Sequence, residues 1–171
     1  MMHYKWIGAL IIITGCGGFG FAIASGYRQT MKRLRQLIHA LTFMDCELQY
    51  RLTPLPELCR QTGREVTGQL RDVFTNLAME LDHQTAPDVS GCMTAALKNS
   101  PDPGPTLRRH LVRLGHILGR FDLSGQLKGI SSVKTACAQE LHLLENDQHQ
   151  RIRCYQTLGL CAGAALALLF V

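Results

Sequence analysis

Apolar side chains recur at steps of three and four along most of the chain, the spacing of helices that bury one face. Leu34, Leu37, Leu41, Met44 and Leu48 make the first such stripe. Leu55, Leu58 and Cys59 mark a short second helix, which Gly63 is placed to end. Val66, Leu70, Val73, Leu77 and Leu81 form a third stripe, with Phe74 and Ala78 beside it. Thr85 to Asp88 spells T-x-x-D, a capping-box variant, ahead of Val89, Cys92, Met93 and Ala96. PDPGP at 101–105 is a clear break. The fifth helix then carries Leu107, Leu111, Leu114, Leu118 and Phe121. Asp122 or Ser124 is placed to cap a sixth, with Leu127, Ile130, Cys137, Leu141 and Leu144. No convincing strand pair is present, so the pattern predicts an all-α bundle of about six helices.

The first corner, CELQYRLTPLPEL at 46–58, is sharply specified. Pro54 disfavours helical geometry at Thr53, so the incoming helix should stop near Leu52. Thr53 is the expected cap of the next helix, with Pro54 at its first position and Glu57 near the positive end of its dipole. Glu47 and Tyr50, one turn apart, flank this corner, which either fixes helix order or displays a docking edge.

Charge divides the chain of 171 residues into three. Trp6 to Tyr27 and Cys154 to Val171 carry no charge, while the segment between them holds all 13 acidic residues and 17 of the 18 Lys and Arg. The uncharged runs reach the length of membrane helices, the second only barely. The expected organisation is an N-terminal membrane helix at 1–27, a helical domain at 28–153 and a C-terminal membrane or membrane-associated helix at 154–171. Ala22-Ile23-Ala24 before Ser25 also resembles a signal-peptidase site, which would export the domain with six cysteines. Arg28, Lys32, Arg33 and Arg35 follow the first run directly, and Arg151 and Arg153 precede the second. Both flanks favour an uncleaved anchor with the domain in the cytoplasm and its cysteines reduced.

GCGGFG at 15–20 matches the dinucleotide fingerprint G-x-G-x-x-G but lacks its context. The next acidic residue is Asp45, and no alternating strands follow. Helix packing explains the glycines better. Thr14, Gly18, Ala22 and Gly26 recur every four residues, as do Gly159, Gly163 and Ala167, and such stripes let membrane helices approach closely.

Candidate chemistry is sparse. His142, Glu145 and His149 share one helical face, but no second ligand set accompanies them and no C-x-x-C pair supports zinc. No nucleophile or phosphate-loop motif is present, so no enzyme, catalytic residue, metal or cofactor is expected. The modest positive surplus and scarce aromatics give no nucleic-acid signature. Arg109, Arg113, His116 and Arg120 recur along the fifth helix beside Arg108. That is a basic face able to bind an acidic protein surface or anionic lipid, or simply to be solvated. Gly115 and Gly119 suit close helix contact. An exported or surface-anchored ligand-binding module is the alternative to a membrane-anchored cytoplasmic domain. A small membrane enzyme using His142 and Glu145 is a third reading.

Several motifs together resemble the stage III sporulation protein AB family of endospore-forming bacteria. They are MKRLRQL at 31–37; E-x-x-Y-x-x-T-P-L as Glu47, Tyr50, Thr53, Pro54 and Leu55; Leu114-Gly115, Leu118-Gly119, Asp122 and Gln126; and Tyr155, Leu158 and Gly159. The resemblance implies a membrane-anchored part of the channel complex linking mother cell and forespore, with its main domain on the mother-cell side of the outer forespore membrane. It further implies a helical domain similar to the platform proteins of type II secretion. The implied partners are an AAA-like secretion ATPase subunit and other membrane components of the complex. Glu47, Tyr50, Thr53, Pro54, Arg109, Arg113, Arg120 and Asp122 are the docking candidates.

Overall fold

The computed structural model describes the backbone of residues 3–170 and the side chains of Gly26 and of 28–146. Six helices follow one another: α1 (His3–Tyr50), α2 (Leu55–Glu65), α3 (Gln69–Asp82), α4 (Val89–Lys98), α5 (Pro105–Ile117) and α6 (Leu123–Phe170). No strand occurs among the described residues. The chain divides into two units, one of residues 1–31 with 142–171 and one of residues 32–141. The expected membrane helices and their small residues Gly18, Ala22, Gly159 and Gly163 lie outside the described side chains. Gly26, which is described, is exposed, and no atom stands within 4 Å of where its Cβ would be. Among the described residues no helix is long and apolar enough to cross a membrane.

The unit of residues 32–141 is built on the leucine stripes. Leu34, Leu37, Leu41 and Met44 of α1 are fully buried, as are Leu58, Leu77, Met93, Leu111 and Leu114 of the following helices. From α6 come Ile130, Val133 and Cys137. Each fully buried Leu or Phe contributes about 1.5–3 kcal/mol, so this one core dominates the unit's stability. Successive helices pack on one another from α2 to α5. Glycines set two of the close approaches. A methyl group at Gly115 of α5 would stand 2.7 Å from Met93 Cβ of α4, and one at Gly129 of α6 would stand 2.2 Å from Ile117 Cγ2 of α5.

Four local expectations are corrected. Thr53 does not cap α2; Pro54 is the N-cap, and the Thr53 hydroxyl donates instead to Glu47 Oε2 at 3.1 Å. Gly63 does not end α2, because it lies buried inside the helix against α3, where a side chain would press on Thr75 Oγ1. Val66 accordingly follows α2 rather than opening α3, and Gly68 turns the chain with φ 65°. Thr85 caps nothing at α4. Asp88 is itself the N-cap and accepts from the Gly91 amide. Finally, α5 stops at Ile117, so Phe121 leaves the buried stripe and is half exposed. Gly119, at φ 72°, reverses the chain there. Asp122 does cap α6, accepting from the Gly125 amide at 3.1 Å.

The two ends of this unit are distinct. At one, Arg33 Nη1 donates to Pro103 O at 3.1 Å and Gln36 Nε2 to Thr67 Oγ1, which brings the α4–α5 loop and the α2–α3 turn beside the stretch of α1 that opens this unit. At the other, a methyl group at Gly119 would lie 2.6 Å from Val89 Cγ2 and 3.7 Å from Leu55 Cδ2. The α1–α2 corner, the start of α4 and the α5–α6 turn therefore meet.

Candidate functional site

The α1–α2 corner is held from within. Glu47 is buried at 9 % exposure, and its carboxylate takes the Thr53 hydroxyl and an ion pair with Arg51 Nη1 at 3.4 Å. Just past the end of α1 the chain turns back, and Leu52 takes φ 51°. A branched, bulky side chain rarely adopts that conformation. Leu52 gains no burial in return, since it is 67 % exposed, and Tyr50 beside it is 77 % exposed. Glu47, Thr53 and Pro54 thus shape the corner, and Tyr50 and Leu52 are what it presents.

The α5–α6 turn brings a second exposed pair, Phe121 and Leu123. The Arg120 guanidinium lies 6.0 Å from the centre of the Phe121 ring, within cation–π range. Between this turn and the start of α4 opens a cleft of about 680 Å³, lined by Leu81, Pro87, Ser90, Cys92, His116 and Arg120 among others. Asp88 lies on its wall with its carboxyl held below the ordinary carboxylate range, first by the Ser90 hydroxyl and then by the Gly91 amide.

Of the basic residues expected along α5, Arg109 and Arg113 share a face and Arg120 leaves it. Arg109 lies 3.8 Å from Glu140 Oε1, and Arg113 Nη2 donates to Ser132 Oγ at 3.2 Å, so both turn toward α6. Arg113 lines a shallow polar groove with Lys128, Ser131 and Thr135. Arg108 lies 3.8 Å from Asp102. Arg120 is past the end of α5 and belongs to the opposite end of the unit.

His110, which the sequence reading passed over, is buried at 6 % exposure and hydrogen-bonds through Nε2 to Glu140 Oε2 at 2.7 Å. Its place between Leu107 and Leu111 on the buried stripe was the signal that could have found it. His142 hydrogen-bonds to Asn146, and His149 lies outside the described side chains. Among the described residues no group of His, Cys, Asp and Glu could hold a metal ion. Cys59 and Cys137 are buried, and desolvation pushes both thiols up to about 12, aided at Cys137 by the nearby Glu140 charge. They are inert core groups. Cys46 is exposed.

Comparison with known proteins agrees with this helical architecture. The family model described as stage III sporulation protein AB matches residues 5–171. Stage III sporulation protein AB of Bacillus subtilis (strain 168) is 25 % identical over 170 residues, spanning 98 % of this chain and 99 % of that protein. A solved structure of a stage III sporulation protein AB superposes with a TM-score of 0.62 at 22 % identity, covering 71 % of this chain and 98 % of the other, which shows a shared fold. A match over nearly the full length, together with the same helical fold, places the chain in the stage III sporulation protein AB family.

Proposed function

We propose that this chain is a non-enzymatic, membrane-anchored component of the sporulation channel complex between mother cell and forespore, and that its helical unit docks the complex's secretion ATPase. Family membership supports the sporulation role. The docking role rests chiefly on one observation. The unit ties its polar groups into caps and corners, yet it leaves Tyr50, Leu52, Phe121 and Leu123 exposed where two turns meet. Large apolar side chains gathered on a surface are the mark of a contact site. The anchor is read from the two uncharged runs, and a cytoplasmic, mother-cell-side orientation from Arg28, Lys32, Arg33 and Arg35. Similarity to the platform proteins of type II secretion is part of the same proposal.

Two measurements on the full chain in sporulating cells test it. Exposed Cys46 should escape a maleimide that cannot cross membranes until the cells are lysed. The tagged chain should also sediment with membranes and co-purify with the ATPase. Efficient labelling of Cys46 in unlysed cells would place the unit outside and favour the exported ligand-binding module.

A further inference from the structure

We infer that the exposed end of the unit, where the α1–α2 corner meets the α5–α6 turn, takes an acidic amphipathic segment of a protein partner. Apolar side chains of that segment sit on Tyr50, Leu52 and Phe121, and its carboxylates pair with Arg120. The inference rests on the docking role proposed above and names the chemistry of what docks.

Three observations carry it. The first is exposure, with Tyr50 at 77 %, Leu52 at 67 % and Phe121 at 51 %. A few well-packed anchors, Tyr and Arg prominent among them, carry most of the energy of an interface. The second is conformational. Leu52 sits at φ 51°, a conformation unfavourable for a bulky side chain, between Arg51 and Thr53, which both contact Glu47, and it stays exposed to solvent. Such strain clusters at binding sites.

The third is charge. The acids at this end keep their charge, and each is turned to a partner within the fold. Asp88 caps α4 and Asp122 caps α6, each through a backbone amide, and Glu47 holds the corner. Arg120, in contrast, rests against the Phe121 ring, and no carboxylate pairs with it among the described residues. The surface therefore offers hydrophobic anchors beside an unmatched cation, with His116 also lining the adjoining cleft. A segment with large apolar residues flanked by carboxylates complements both. The groove at Arg113 and Lys128 is also cationic, but no apolar anchor lines it, and exposed charges alone act mainly on encounter.

The test is photo-crosslinking of the full chain in sporulating cells. Benzoylphenylalanine replaces Tyr50, Leu52 or Phe121 in turn, with Met79 on α3 as an exposed control, and the attached peptide is sequenced. The expected result is an adduct from the three end positions, and not from Met79, to a segment of another protein with carboxylates beside apolar residues. Arg120→Glu should lower the yield about tenfold, and Arg120→Gln by less, without changing the melting temperature. An adduct to phospholipid, to a second copy of this chain or to a basic segment would overturn the inference. So would an absence of adducts, or a yield indifferent to Arg120. An acidic amphipathic segment of a protein other than the ATPase would leave the inference standing and remove the ATPase from the proposed function.

Discussion

The two ends of the unit of residues 32–141 treat their loops in opposite ways. At the end holding the α4–α5 loop, Pro103 is buried and Arg33 grips its carbonyl, Gln36 reaches Thr67, and Asn76 hydrogen-bonds to Asn99 O and Ser100 Oγ. Polar side chains of the helices close the turns, and Val66 goes into the core. At the other end the polar groups act inward, as the caps Asp88 and Asp122 and the Glu47 tie. What faces solvent is Tyr50, Leu52, Phe121 and Leu123. Both ends solve the problem of terminating helices, and only one leaves apolar surface uncovered. That asymmetry, more than any single residue, distinguishes a surface that holds the fold from one available to a partner.

Glycine substitutions give the largest expected contrast. Gly119 at the open end and Gly104 at the closed end both have positive φ, which costs a side chain about 1–3 kcal/mol. Only Gly119 also lacks space, since a methyl group would stand 2.6 Å from Val89 Cγ2, whereas at Gly104 the nearest atom is Arg33 Nη1 at 3.5 Å. Overpacking adds about 1–3 kcal/mol. In thermal melts Gly119→Ala should therefore cost roughly twice what Gly104→Ala costs. Equal losses would mean that the α5–α6 turn can shift away from α4, and that the open end is less rigid than drawn.

Side-chain ties come next. Arg33→Ala and Thr53→Ala each remove one partly buried hydrogen bond and should cost on the order of 1 kcal/mol. Leu52→Gly should leave the melting temperature unchanged or raise it, because the exposed leucine contributes strain rather than packing. A fall of several degrees would show that Leu52 is packed, and would weaken the contrast between the ends.

A further effect is alkaline and needs no substitution. Cys59 and Cys137 have folded pKa values of about 12 against an ordinary value of 9.0. Their raised values contribute stability that is fully present below about pH 9 and is lost as pH rises from there toward 12, since the unfolded thiols ionise first. Denaturant titrations at pH 8 and pH 10 should show that decline, and Cys59→Ala with Cys137→Ala should flatten it.

Much of this fold was legible from periodicity. The stripes at Leu34 to Leu48, Leu70 to Leu81 and Leu107 to Leu118 place the helices and most of the core, because heptad-like spacing reports burial directly. Asp122 as the cap of α6 was equally readable. The failures share a cause. Thr53, Gly63 and Thr85 were assigned by local capping and breaking rules, and tertiary partners decided each one. Glu47 claims the Thr53 hydroxyl, α3 needs the small face of Gly63, and α4 starts three residues later than Thr85 implied, with Asp88 accepting from the Gly91 amide. The basic face on α5 was read too long. Periodicity carries Arg120 onward in register with Arg109 and Arg113, but α5 stops at Ile117 and the turn at Gly119 takes Arg120 out of that register. The exposed end needed the fold, since the corners that carry Tyr50 and Phe121 lie 71 residues apart and come together only through Gly119 beside Leu55.

Hydrogen exchange on the full chain, with and without its co-purified partner, tests most directly whether the open end is the docking surface. Partner binding should slow exchange at the amides of residues 50–53 and 118–123, and leave those of residues 66–68 and 99–104 unchanged. Protection confined to the α2–α3 and α4–α5 connections, or spread equally over both ends, would contradict the assignment.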